Sequence, residues 1–424
     1  MYPPLPRVDR LPDRLPDGLP DTLIGPEHAW SLIEAHLRPL ASVAVPRREA
    51  AGRVLADPAH STVDLPAHDV SAMDGYAVSG SVSAGVRLPV TGVVAAGDPP
   101  GLSLATGQTA RIMTGAPIPT GTTTVVPVEE TDGGREVVSF NRDLVDGAHI
   151  RRRAEIVATG DLILEAGTRL GPGALSLLAS HGHDEVLVRS APTVAFVSTG
   201  DEVVPPDVEP QPGQLRDSHS DFLLAVGRSL GLEVTPLGIA RDTKESLTPL
   251  LRRGLDFDVL LVSGGVSMGE FDVVEDVFAD LGCQPIFDAV GVQPGKPLVV
   301  AHHQNGLVFG LPGNPASVMV SFWLFVRPAL RRLMGLADSY WHGALNGRLA
   351  APLPGAKGRD RFLPAEVEFA DGEILVYPAP PKGSHDLMAY ARGSALVRVP
   401  AGSKQAAVGS PCQILPFANW PQRS

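Results

Sequence analysis

The chain has 424 residues, 44% of them hydrophobic, and sets 35 Lys and Arg against 47 Asp and Glu for a formal net charge of -12. That length buries several cores and implies three or four domains, while the acidic balance argues against a broad nucleic-acid surface. The two cysteines, Cys283 and Cys412, share no metal-ligand spacing and cannot build a disulfide framework, which suits the cytoplasm; no apolar run approaches the roughly 20 residues that span a bilayer, and no signal-peptide pattern opens the chain.

Residues 1–20 repeat LPD at Leu11, Leu15 and Leu19 and read as a disordered, proline-rich tail. Apolar spacing at Ala29, Leu32 and Ile33 predicts a helix from Pro26 to His36. Residues 61–150 carry the short β-rich runs VRLPVTGVV, TARIMTG, TTTVVPVEE and EVVSF between turn residues, as in a small all-β module. The flanking segments 21–60 and 151–190 read as one discontinuous helical linker domain, with a helix in Thr168–Ser180 opened by Pro172. Its histidines, His181 and His183, read as a helix-end feature, and Arg151, Arg152 and Arg153 as a solvated run or the lining of an anion site.

From residue 191 to 337 apolar runs (VAFVS, VTPLGI, DVLLVS, LVFG) alternate with helical segments (DFLLAVGRSLG, TKESLTPLLRRG, VVEDVFADLG). That alternation predicts βαβ units and a three-layer α/β/α domain with a mainly parallel sheet. Residues 338–424 hold the strand candidates RFLPAEVEF, EILVYP and ALVRVP, a barrel-like C-terminal β domain. The fold class is therefore multidomain α/β plus β.

Ligands of parallel sheets bind beyond the carboxyl ends of the strands. The loops expected there are Ser198–Glu202, Arg241-Asp242, the turn Gly264-Gly265 that leads to Ser267, Glu270 and Asp272, and Leu311–Pro315. Glycines let the backbone approach a ligand. Asn314 and Pro315 open a long helix whose free amides suit a phosphate. Lys296, between Pro294 and Pro297, adds a cation, and the carboxylates would take a metal; together they suggest a phosphate-bearing substrate bridged by one. The spacing is not the GxGxxG of dinucleotide enzymes. His302-His303 adjoins no acid or cysteine and reads as surface.

Six ordered motifs then make a resemblance specific: Ser71–Ala77 (SAMDGYA), Thr114–Pro117 (TGAP), Ser198–Glu202 (STGDE), Ser263–Ser267 (SGGVS), Pro294–Pro297 (PGKP) and Leu311–Pro315 (LPGNP). Over about Pro26 to Pro416 the chain resembles the molybdopterin molybdenumtransferase family, which includes the E domain of gephyrin. The resemblance implies a four-domain homodimer, with residues 21–60 and 151–190 in dimerisation, that inserts molybdate into adenylylated molybdopterin in a magnesium-dependent reaction releasing AMP. The adenylylating enzyme of the same pathway and molybdoenzyme apoproteins are the further partners it suggests. By the same resemblance Glu202, Asp242 and Asp272 would hold metal and nucleotide, with Asp74 and Thr114 as further catalytic residues from the β module. Gly264, Gly265, Ser267, Lys296, Pro312, Gly313, Asn314, Arg359 and Ser384 would contact phosphate or pterin.

Three departures accompany it. Where the family usually reads Gly-Glu-Asp this chain has Ala154-Glu155-Ile156, and before PGKP it has Ala289 and Gln293 in place of basic residues. They leave open a second reading, a catalytically weakened paralogue that binds molybdopterin or the finished cofactor as a carrier or scaffold.

Overall fold

The computed structural model describes residues 23–265, 273–304, 306–337 and 339–417; the proline-rich residues 1–20 lie outside these. The chain forms two compact units, one of residues 44–51 and 55–188 and one of residues 23–43, 52–54 and 189–417.

In the larger unit six strands form one sheet in the order Val234–Ala240, Val194–Thr199, Val259–Ser263, Gly306–Leu311, Val299–His303, Gln284–Phe287. The first four run parallel, and Val299–His303 enters antiparallel to both its neighbours. Alternate side chains of each strand face opposite sides. Phe196, Leu261 and Phe309 pack with the helices Pro26–Ala35 and His219–Ser229 and the helical run from Pro315. Val197, Leu260, Val262 and Val308 pack against Lys244–Gly254 and Val274–Asp280 on the other side. Both faces are covered, so the strands read as unbroken apolar runs and a three-layer domain results.

The long helix expected after Asn314 is present as Pro315–Ser321, a π turn Phe322–Val326 and Arg327–Leu333 in succession. Pro328 has no N–H and its ring crowds the carbonyl one turn earlier, which a wider turn relieves. The antiparallel edge was not legible, and with it the surface reading of His302 fails. His302 is half-buried in its strand and stacks on His36, ring centroids 4.5 Å apart.

The C-terminal strands close into a barrel: Asp360–Ala370, Glu373–Pro378, Leu345–Leu349, Pro411–Pro416 and Ala395–Val399, which pairs back onto Asp360–Ala370. Sequence reading found three of these strands; Leu345–Leu349 and Pro411–Pro416 carry no regular alternation strong enough to mark them. An ion cluster joins the barrel to the N-terminal helix. Arg398 binds Asp360 at 2.6 Å and Glu27 at 2.8 Å, and the Tyr340 hydroxyl donates to the same Glu27 oxygen at 2.6 Å.

The smaller unit is built on a five-stranded sheet, Thr124–Pro127, Gly75–Val78, Thr109–Ile112, Arg87–Val94, Val137–Ser139. The four expected runs are all strands. The one that was missed, Gly75–Val78, is buried along its length and paired on both sides. His181 ends the helix Pro172–Ser180 as expected, buried, with Nδ1 2.9 Å from the Ser61 hydroxyl. Arg152 and Arg153 are paired with Asp69 and Asp64, so their charge is locally balanced rather than offered to an anion.

Two predictions follow from this packing. Replacing Arg398 by Leu leaves the buried Asp360 carboxylate without its cation, and removing one partner of such a pair costs about 3 kcal/mol or more; denaturant unfolding showing no loss would refute the role of the cluster. His36 has its pKa lowered by burial first, then by His302 and Arg38. The folded state therefore prefers the neutral ring. Stability is expected to fall as pH drops through the unfolded histidine value of about 6.5, and His36→Gln is expected to flatten that slope in unfolding curves taken at pH 7 and pH 5.

Candidate active site at the carboxyl edge of the sheet

The strands Val194–Thr199, Val259–Ser263 and Gly306–Leu311 end in step, with Ser198 opposite Ser263 and Ser263 opposite Leu311, and Thr199 lies opposite Ala240 on the other flank. The four loops that leave these ends touch. The amide of Gly264 donates to the carbonyl of Leu311 at 3.0 Å. The Thr199 hydroxyl donates to Asp242 at 2.6 Å, and the Asp242 amide to the Asp201 carboxylate at 3.4 Å. Gly264 has φ +101 and Gly265 φ +63, conformations that L side chains rarely adopt. A Cβ on Gly264 would stand 2.5 Å from the Thr199 carbonyl, and one on Gly265 would stand 2.7 Å from Val274 and 3.0 Å from the Thr199 hydroxyl. Glycine is required at both for the loops to meet.

Pro312 is buried, while Gly313 and Asn314 are exposed beside the turn, with Gly313 packed against Gly264. Asn314 holds the N-cap position without a side-chain capping bond, but its carbonyl accepts from the amides of Ser317 and Val318 at 2.9 and 3.1 Å, and Pro315 has no N–H, so the free amides expected at this helix start are taken up within the protein. The amide of Ala316 donates to the carbonyl of Ser384, which brings the C-terminal domain onto this helix start. Pairing of Val292-Gln293 with Asp360-Arg361 carries Arg359 to the turn that precedes Pro294. There its guanidinium reaches the Val292 carbonyl at 3.4 Å, and Lys296 on the same turn is exposed. Gly264, Gly265, Lys296, Pro312, Gly313, Asn314, Arg359, Ser384, Glu202 and Asp242 thus belong to one unit. Ser267, Glu270 and Asp272 lie outside the described residues.

Asp74 and Thr114 sit together in the smaller unit. The Thr114 amide and hydroxyl both donate to one Asp74 oxygen, at 2.6 and 2.7 Å, and these bonds, the amide first, lower the Asp74 pKa. Among the described residues no group of three or more His, Cys, Asp or Glu side chains is placed to hold a metal. What the loops do offer, Asp201, Glu202 and Asp242, is oxygen donors alone, the set a hard divalent cation takes.

Sequence reading missed the layer beneath these loops. Asp217 is 6% exposed and accepts from the Ser198 and Ser220 hydroxyls and from the amides of His219 and Ser220. Burial works against its charge, and the hydroxyl bonds outweigh that and lower its pKa. The imidazole of His219 meets the Ser263 hydroxyl at 2.6 Å. An Asp-Ser pair ahead of an apolar helical run was the available signal, since it marks a helix start.

Ile156 is 70% exposed. Ala154, where the resembling family has glycine, holds φ 58, a conformation that costs an L residue about 1 kcal/mol.

Family models match the chain in three consecutive regions: a MoeA N-terminal region (domain I and II) at residues 24–182, a probable molybdopterin binding domain at 195–332 and a MoeA C-terminal region (domain IV) at 346–417. Molybdopterin molybdenumtransferase 2 of Mycobacterium tuberculosis is 37% identical over 392 residues, covering 89% of this chain and 96% of its own length. The molybdopterin molybdenumtransferase of a Nostoc species is 36% identical over 364 residues, 83% of each chain. The solved molybdopterin biosynthesis MoeA protein from Pyrococcus horikosii superimposes with a TM-score of 0.79 at 30% identity, covering 94% of this chain and all of that one. The likeness runs through all three regions at this identity and coverage, and the chain belongs to the MoeA family.

Proposed function

We propose that this protein is a molybdopterin molybdenumtransferase, inserting molybdate into the dithiolene of adenylylated molybdopterin with magnesium-dependent release of AMP. The observation that carries the reading is the meeting of four post-strand loops, one of them a glycine turn and one leading into a helix, at a single sheet edge. The relatives named for this activity, matched over most of their length, support it.

The substrate carries a pyrophosphate. The Gly265 amide and the positive dipole end of the helix behind Asn314 are suited to its oxygens, Gly264, whose own amide is bonded to Leu311, shapes the turn, and Lys296 supplies a point charge. Arg359 and Ser384 are assigned to phosphate or pterin, and Ser267 to the same loop. Glu202, Asp242 and Asp272 would hold magnesium, which when bound neutralises the charge that develops as the pyrophosphate is cleaved. The hydroxyl of Thr199 holds the Asp242 carboxylate at that edge, and the loops that meet there would bring the dithiolene and molybdate together. No observation favours the carrier alternative. The exposed Ile156 is free to be changed without disturbing a core, and Ala289 and Gln293 leave Lys296 and Arg359 in place.

We further infer a homodimer and a cytoplasmic location. Among the described residues no helix is long and apolar enough to cross a membrane. Both thiols are unpaired, and burial pushes each up to about 11, as suits cysteines kept reduced and inert.

Glu202→Gln and Asp242→Asn are each expected to slow AMP release from adenylylated molybdopterin by about 100-fold, because both sit on loops and change a metal ligand rather than a core contact. Wild-type release from either variant would remove that residue from the site. Light scattering at micromolar concentration is expected to give twice the 44.5 kDa chain mass; a monomer would contradict the dimer.

A further inference from the structure

Below the glycine turn runs a polar link that the transferase reading does not use. Asp217 ties the Ser198 hydroxyl, at the end of one strand, to the amides that open the helix His219–Ser229. His219, the first residue of that helix, reaches the next strand, where its Nδ1 lies 2.6 Å from the hydroxyl of Ser263. Ser263 is the last strand residue before Gly264, and the Gly264 amide is bonded across to Leu311. The other ring nitrogen, Nε2, is buried and has no hydrogen-bond partner among the described residues. A buried polar atom left so is costly and calls for a reason.

We propose that His219 is a positioning residue for the phosphate-binding turn: its neutral imidazole, through the Ser263 hydroxyl, fixes Gly264 and Gly265 in the conformation that substrate requires. The inference rests on the transferase reading for the identity of the substrate.

The chemistry of imidazole accounts for the choice of side chain. A neutral ring has one donor and one acceptor, so Nδ1 can meet a hydroxyl in either sense while the single remaining atom is shielded. A protonated ring has two donors. Ser263 would then have to accept, its own hydrogen would turn away, and a second N–H would be left buried without an acceptor. Burial accordingly lowers the His219 pKa, against the pull of the Asp217 carboxylate, the charged group that faces it among the described residues. The ring is neutral near pH 7, and acid is expected to release the turn.

The test compares His219→Ala with His219→Asn, whose side-chain amide places a hydrogen-bonding atom near the position of Nδ1 and does not titrate. For adenylylated molybdopterin at pH 7.5, His219→Ala is expected to raise KM about tenfold, the size of one lost buried hydrogen bond. His219→Asn should stay within about threefold of wild type. Below about pH 6.5 the wild-type kcat/KM should fall along a limb that His219→Asn lacks. Hydrogen–deuterium exchange supplies a readout without substrate: the peptide covering Val259–Gly265 should exchange faster in His219→Ala and like wild type in His219→Asn. A KM for His219→Ala within twofold of wild type, an acid limb shared by His219→Asn, or unchanged exchange in His219→Ala would each overturn the proposal. If wild type itself released no AMP, the transferase reading would fail, and the exchange measurement would still decide the role of His219.

Discussion

The close approach of Gly264 to the carbonyl of Thr199 governs this site. Parallel strands deliver their loops to one edge, but loops crowded there normally hold each other apart by their side chains. With no Cβ on Gly264 or Gly265, the loop after Val259–Ser263 lies against the loop after Val194–Thr199, and its amide closes onto Leu311. Asp242 is drawn in by the Thr199 hydroxyl, and Gly313 packs on Gly264. A single methyl group at Gly264 would push these segments apart and separate the carboxylates from the amides.

The C-terminal barrel takes part in this arrangement rather than standing apart from it. Strand pairing between Val292-Gln293 and Asp360-Arg361 sets Arg359 beside the turn that bears Lys296, and Ser384 accepts from the helix that opens behind Asn314. The Arg398–Asp360–Glu27–Tyr340 cluster locks the same strand to the N-terminal helix. A half-buried cluster of this kind adds little net stability over an apolar substitute, yet it is costly to break, so it defines one arrangement of barrel and helix.

The departures from the family pattern are local in their effects. Ile156 is exposed and Ala154 occupies a left-handed position that its glycine counterpart would hold without strain. Both lie in the smaller unit, in a turn already held by Arg152–Asp69 and Arg153–Asp64 pairs. The chain tolerates about 1 kcal/mol of backbone strain there, small against the total stability of a folded domain.

Sequence alone determined the strands Val194–Thr199, Val259–Ser263 and Gly306–Leu311, the helices between them and the loops at their ends, because burial on both faces forces continuous apolar runs and ligand-binding turns need glycine. It also determined the family, since motif order survives where overall similarity is modest. The strand Gly75–Val78, the antiparallel edge Val299–His303 and two barrel strands were decided by tertiary pairing, as short segments take their hydrogen-bond partners from distant chain. The layer of Asp217, His219 and Ser263 was decided the same way. Forty-four positions separate His219 from Ser263, and no local pattern in either segment announces a contact that exists only because two neighbouring strands end in register.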